Sequence, residues 1–195
     1  MIPDQQEIVR SLFGAFRLAR LDGRGMGYFN LSIEGFWRSF FAAAIVAPGY
    51  ALLVAQKLAT WPATVDPALA VLIETLAYVL SWIAFPVAAV FLTTMLGLSR
   101  NYVSLIVAAN WAEVLQFGLF LAVMTVTLVF PGAVRGPVLA LAIGAILVYE
   151  WFVARTALET TGGVAVGIVL VDLLLGIGIN LTADRLIWAV STPPA

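Results

Sequence analysis

The chain contains no cysteine and no histidine, and it is poor in charged residues. Without cysteine and histidine, the usual zinc sites, haem ligation through histidine, disulfides, thiol nucleophiles and a conventional Ser-His-Asp triad are excluded. No phosphate-binding glycine loop, Walker motif or EF-hand loop is present either. We therefore expect neither an enzyme nor a cofactor-binding protein.

The charged fraction is only 11% of 195 residues, whereas 63% are hydrophobic. A soluble domain of this length needs many more charges to cover its surface. A nucleic-acid partner would require a basic face, which a chain with a formal net charge of −1 lacks. We therefore expect no nucleic-acid partner. Nine of the ten basic residues are arginine, a composition typical of a GC-rich bacterial genome.

Apolar residues occur in five long blocks separated by short connections rich in Gly, Pro and polar residues: 36–56, 67–96, 103–130, 137–154 and 164–187. A helix needs on the order of 20 apolar residues to cross the hydrocarbon. The sequence thus predicts an all-α, polytopic membrane protein with five transmembrane helices. We divide it into an N-terminal segment (1–35), a transmembrane domain (36–190) and a short C-terminal tail (191–195).

The segment before the first span is predicted to form a short amphipathic helix. Ile8, Val9, Leu12, Phe13 and Phe16 recur at helical spacing. This pattern fits a helix lying in the membrane interface, with basic side chains toward lipid headgroups, or one that packs on the cytoplasmic face of the protein itself. The interfacial basic candidates are Arg10, Arg17, Arg20, Arg24 and Arg38.

Local signals define the approach to the first span. DGRGMG at 22–27 predicts a turn. Asn30 or Ser32 can cap the next helix, and Glu34 and Arg38 have the i, i+4 spacing of an ion pair. In the last span, Gly163 and Gly167 form a small-xxx-small pattern, which predicts close helix packing.

The basic residues predict the orientation. With the N-terminus in the cytoplasm, seven basic residues lie inside and three outside. We therefore expect a bacterial inner-membrane protein with a cytoplasmic N-terminus and a periplasmic C-terminus.

Four spans carry acidic residues within their apolar stretches: Glu74, Glu113, Glu150 and Asp172. Helical periodicity places Asn110 on the same face as Glu113, and Asn180 on the same face as Asp172. Carboxyl groups exposed to hydrocarbon cost several kcal/mol even when neutralised, so these faces should point at protein. Helix numbering puts Glu113 and Asp172 near mid-membrane, Glu150 near the inner surface and Glu74 in the outer half.

Two interpretations of the acids remain open. In the first, they form a relay or coordination ladder for protons or a cation, best represented by Glu113 with Asp172. In the second, they are protonated and hold helices together through hydrogen bonds to Asn110, Asn180, Tyr78, indoles or backbone near Pro86. We favour the second, because acids of ion pathways are usually clustered in depth and these are spread out.

The layout resembles the Yip-domain family of five-span membrane proteins with a cytoplasmic N-terminus. The resemblance is carried by SLFGAFR at 11–17, FWRSFF at 36–41 and Pro48 within the first span. Eukaryotic members are known as Rab-GTPase-interacting factors. Their Asp-Leu-Tyr-Gly-Pro motif is absent here, so neither a GTPase partner nor any site residue is carried over.

The sequence thus favours a non-enzymatic membrane module: an accessory subunit, an assembly factor or a lipid-organising protein. Its expected partners are membrane lipid and other membrane subunits or a second copy of itself. The alternative is a small proton- or cation-coupled transporter that uses the intramembrane carboxylates.

Overall fold

The computed structural model describes residues 2–62, 64–127 and 132–191, in which the regular elements are all helical. Two short 3₁₀ helices lie at Gly23–Tyr28 and Ser99–Asn101. The α-helices are α1 (Gln5–Ala19), α2 (Ile33–Ser39), α3 (Phe41–Thr60), α4 (Pro67–Met95), α5 (Tyr102–Thr127), α6 (Gly132–Ala157) and α7 (Gly162–Ser191).

Five helical stretches are long and apolar enough to cross a membrane, which confirms the predicted multi-pass architecture. The first, Ile33–Thr60, combines α2 and α3, and the others correspond to α4, α5, α6 and α7. Ser32 caps α2, so the first span begins three residues earlier than predicted. Helix α6 begins before Pro137 rather than at it. Residues 128–130 of the predicted third span and 192–195 of the predicted tail lie outside the described residues.

The five spans close into a ring. Neighbouring helices are in contact in the cyclic order α3, α4, α7, α6, α5 and back to α3. The apolar core lies at the end of the ring that carries α1, where the successive residues Leu105, Ile106, Val107 and Ala108 of α5 are all buried. Further along α5, Gly118 and Leu119 are exposed. The bundle is therefore packed solidly at the α1 end and less tightly beyond it.

Helix α1 packs on that end of the bundle, against α5 and α6. Its buried residues are Ser11, Gly14, Ala15 and Leu18. The structure therefore confirms that α1 packs on the protein itself. The face that makes this contact differs from the face of large apolar residues that the sequence predicted. Small side chains make the contact because they permit close approach, while Val9, Phe13 and Phe16 remain exposed on the opposite side.

The predicted turn at 22–27 forms a 3₁₀ helix that lies directly on α1. A Cβ atom at Gly25 would come within 2.5 Å of the Gly14 carbonyl oxygen, so only glycine fits this contact. Asp22 anchors the segment, since its carboxylate accepts hydrogen bonds from Arg24 Nε (2.9 Å) and Arg17 Nε (2.8 Å).

Arg24 and Arg17 hold the pKa of Asp22 well below its usual value. A lowered folded-state pKa means that this carboxylate stabilises the fold at neutral pH. The loss of this stabilisation begins as the pH falls below about 4, the usual pKa of an aspartate in the unfolded chain. It is complete once the pH has fallen below the lowered pKa of the folded state.

The predicted close packing around Gly163 and Gly167 is wrong within the described structure. Both glycines are exposed, and a Cβ atom added at either would meet no other atom within 4 Å. This glycine face of α7 points away from the ring, because the buried residues Ala165, Ile168 and Val169 take the inward positions.

Candidate intramembrane binding site

The ring of spans surrounds a cavity of about 540 Å³. Residues from α3, α4, α5, α6 and α7 all border it. Its amide and carboxyl side chains are Asn110, Glu113, Gln116, Glu150, Asp172 and Asn180. Five of the six candidate site residues from the sequence therefore meet at one place, and Glu74 lies outside it.

The three cavity acids lie at nearly one depth. Counting from the α1 end of each helix, Glu150, Asp172 and Glu113 lie seven, ten and eleven residues into α6, α7 and α5. At ~1.5 Å per residue this is roughly 10 to 17 Å from the helix ends. Counted in this way, Glu150 lies deeper than the sequence predicted. Helix α6 continues to Ala157, which moves Glu150 inward from the surface.

Glu150 of α6 and Asp172 of α7 lie close enough for their carboxyl groups to interact across the two helices. Glu113 of α5 lies within electrostatic range of both. Two carboxyl groups in such contact cannot both carry full charge without strong repulsion, so the pair holds a proton or requires a cation.

The protein supplies few partners to this cluster. No Lys or Arg borders the cavity within the described residues. Gln116 is only 6% exposed and also borders the cavity, yet its amide makes no hydrogen bond to any described residue. Its amide opens onto the cavity and can therefore hydrogen-bond to whatever fills that space.

The two candidate asparagines differ in their contacts. Asn110 is buried, and its Nδ2 donates to Ser39 Oγ at 2.9 Å, which ties α5 to α2. Asn180 is exposed, and its Nδ2 donates to the Gly176 carbonyl of its own helix. Asn110 therefore supports the cavity wall, whereas Asn180 lies at the cavity margin.

An aromatic wall faces the acids. Tyr50 of α3 and Tyr78 of α4 stack with ring centroids 4.6 Å apart, and Trp82 meets Tyr78 edge-on at 6.2 Å. All three rings border the cavity. The cavity is thus lined by aromatic side chains from α3 and α4 and by carboxyl groups from α5, α6 and α7.

Glu74 belongs to a separate ion cluster near the end opposite α1. Lys57 Nζ lies 2.7 Å from Glu74 Oε1 and 3.0 Å from Asp184 Oδ1. Tyr50 donates its hydroxyl proton to Glu74 Oε2 at 2.8 Å. Glu74 is thus paired with a basic residue from a different helix. Since Tyr50 also borders the cavity, it connects the cavity to this cluster.

The basic residues predicted for the interface divide into two groups. Arg38 bridges Glu7 (2.8 Å) and Glu34 (2.5 Å), and Arg17 pairs with Asp22, so these two hold the N-terminal segment together. The other three, Arg10, Arg20 and Arg24, are exposed.

A scan against family models found no match, and searches of curated proteins and of solved structures found no relative. The resemblance to the Yip-domain family therefore stays a prediction.

The ion cluster yields a first test. Lys57→Met leaves the buried carboxylate of Glu74 without its cation, and we expect the free energy of unfolding to fall by about 3 kcal/mol. Adding Glu74→Gln should recover most of that loss, because the remaining buried group is then neutral. The measurement is thermal unfolding of the protein in detergent.

Arg100→Met is the matched control, since Arg100 meets Glu159 at 3.4 Å with both side chains largely exposed. Exposed pairs contribute at most about 1 kcal/mol. If Lys57→Met is no more harmful than Arg100→Met, the cluster does not stabilise the bundle.

Proposed function

We propose that the protein is a non-enzymatic membrane carrier that moves protons or a cation through the acid-lined cavity. The observation that carries this proposal is the convergence of Glu113, Glu150 and Asp172, from three different helices, on one cavity. Intramembrane acids that face a cavity together mark ion and proton pathways.

The proposal is supported by the contacts of groups that the alternative role as structural glue would use, because several of them are engaged elsewhere. Tyr78 donates its hydroxyl proton to the Ala43 carbonyl at 2.6 Å. Tyr102 donates to the Pro86 carbonyl, and the side-chain amide of Asn110 donates to Ser39. These three bonds therefore join elements of the fold without involving the cavity acids.

Both ends of the cavity carry contacts that could act as gates in a carrier. Toward α1, the Tyr149 hydroxyl donates to the Ala15 carbonyl at 2.8 Å, joining α6 to α1. Toward the other end, Tyr50 and Lys57 link α3 to α4 and α7.

Neutralising the acids tests the carrier proposal. In liposomes holding a pH-sensitive dye, we expect wild-type protein to move protons when a potential is imposed or a gradient of Na⁺, K⁺ or an organic ammonium ion is applied. Glu113→Gln combined with Asp172→Asn should reduce this flux about tenfold or more, because the exchange sites are lost. Glu159→Gln, an exposed acid outside the cavity, is the control.

Folding is checked for each variant by size-exclusion chromatography and thermal unfolding. Removing unpaired buried carboxyls should leave stability unchanged or raised. If the folded double variant carries protons as fast as the wild type, or if the only effect is loss of stability, the carrier proposal fails. Glu150→Gln alone provides a second folded variant.

We also propose that α1 lies in the cytoplasmic lipid interface of a bacterial inner membrane, with the N-terminus inside. The stripe Val9, Phe13 and Phe16 supports this placement, being 65%, 46% and 48% exposed after α1 has packed on the bundle. Arg20 continues the same stripe at helical spacing. Apolar side chains beside exposed arginines match an interface of acyl chains and anionic headgroups.

Because the chain has no cysteine, single-cysteine spin labels test this placement cleanly. In lipid nanodiscs, a label at Phe13→Cys should be more accessible to oxygen than to a water-soluble nickel chelate. A label at Glu34→Cys, an exposed position on α2, should show the reverse. Equal, water-like accessibility at both positions would refute the interfacial placement.

A second candidate function is that of an accessory subunit, the role that the sequence favours. It is favoured by the outward glycine face of α7, where Gly163 and Gly167 stand exposed one turn apart. Faces of this kind allow helices of another subunit, or of a second copy, to approach closely in lipid.

Gly167→Leu tests the accessory role without disturbing the monomer, because no atom lies near the added side chain. We expect weaker association, by about tenfold, if α7 contacts another helix there. Gly118→Leu is the matched control, since Gly118 of α5 is exposed and also free of neighbours. Crosslinking in native membranes supplies the readout, and equal yields for both variants would exclude this face as an interface.

A further inference from the structure

The cavity presents two chemically different walls to its contents. One wall holds the carboxyl groups of Glu113, Glu150 and Asp172, and the other holds the rings of Tyr50, Tyr78 and Trp82. A carboxylate attracts positive charge at short range, and the face of an aromatic ring attracts a cation within about 6 Å of its centroid. Both walls therefore select for positive charge.

The size of the cavity indicates the kind of cation. Pockets of about 300–1,000 Å³ are typical of small organic ligands, and 540 Å³ falls in this range. Inorganic cations such as Mg²⁺ and Ca²⁺ are held by closely spaced oxygen ligands. Phe85, Leu147 and Ile177 instead give much of the wall an apolar surface, which an organic body would cover.

Gln116 provides an independent indication of an occupant. Its buried side chain borders the cavity and has no hydrogen-bond partner among the described residues. An amide left unpaired in this way is satisfied when a ligand, with or without its water, fills the space beside it.

We infer that the substrate of this cavity is an organic cation with an aromatic or branched apolar body, either a quaternary ammonium ion or a protonated amine. The inference rests on the proposed carrier function and names its substrate class. The ring of Trp82 contacts the cationic group from one side, and the carboxylate of Glu113 neutralises it from the other.

Charge balance then links the cation to protons. The titratable groups around the cavity are Glu113 of α5, Glu150 of α6, Asp172 of α7, Tyr50 of α3 and Tyr78 of α4. A singly charged cation that enters displaces one proton from the carboxyl groups, so the charge of the cavity stays constant. One cation is exchanged for one proton, and no covalent bond is made or broken.

Equilibrium dialysis of benzyltrimethylammonium against the protein in a non-ionic detergent tests the inference. This probe combines an aromatic ring with a permanent charge. We expect saturable binding that a large excess of Na⁺ or Mg²⁺ does not displace. Trp82→Leu should weaken binding about tenfold by removing the π-face. Trp82→Phe should restore part of it.

Two further variants complete the design. Trp37→Leu, an exposed tryptophan outside the cavity, is the matched control and should bind like the wild type. Glu113→Gln with Asp172→Asn should weaken binding about tenfold or more, since the neutralising charge is gone. Displacement by equimolar Na⁺ or Mg²⁺, or unchanged binding to Trp82→Leu, overturns the inference.

The dialysis is independent of the flux assay, so the two proposals fail separately. Acid-dependent proton flux without binding of benzyltrimethylammonium preserves the carrier and refutes the organic cation. If benzyltrimethylammonium binds in a manner that depends on Trp82 and the acids, but no proton flux occurs under any gradient, the organic-cation ligand is supported and the carrier proposal is refuted.

Discussion

A carboxyl group inside a membrane has no water to solvate it, so the protein must supply a proton, a cation or hydrogen-bond donors. Helices α4, α5, α6 and α7 carry Glu74, Glu113, Glu150 and Asp172 respectively, and each helix must therefore turn one face away from lipid. The closed order α3, α4, α7, α6, α5 allows all four helices to do so. The ring can thus be understood as the arrangement that shields these acids.

The structure meets this constraint in two different ways. Glu74 is neutralised by Lys57, hydrogen-bonded by Tyr50 and almost completely buried. Glu113, Glu150 and Asp172 border open space instead, without a basic neighbour among the described residues. The first arrangement stabilises the bundle, whereas the second leaves groups whose charge must be balanced by something that enters. This difference separates a structural cluster from a candidate carrier site.

Packing density follows the same division along the membrane normal. At the α1 end, α5 is surrounded on every side, and Gly14 meets Gly25 at backbone distance. The cavity begins beyond this core, where α5 and α7 face each other across the ring. A solid end and a hollow middle suit a protein that changes conformation around a central site while its core stays intact.

Local features were predictable because they depend on residues close in the chain. The Ser32 cap and the Glu34–Arg38 pair form as their spacing indicates, and the five apolar blocks become five spans. The inward direction of the span acids also follows from sequence, since exposure of a carboxyl to hydrocarbon is so costly. Five of six candidate residues indeed share one cavity.

The relative positions of distant residues could not be predicted in this way. Lys57 sits near the end of its span, and only the packing of α3 against α4 and the closure of α7 bring it to Glu74 and Asp184. The common depth of Glu113, Glu150 and Asp172 depends on where each helix ends, and helix ends are poorly defined by hydropathy. By itself, the sequence determined that the chain forms five helices long and apolar enough to cross a membrane, and which of their faces should avoid lipid, because both depend on transfer from water to hydrocarbon. Only the tertiary structure decided which acids are neutralised and which share a cavity, because that depends on distances between helices that are far apart in the chain.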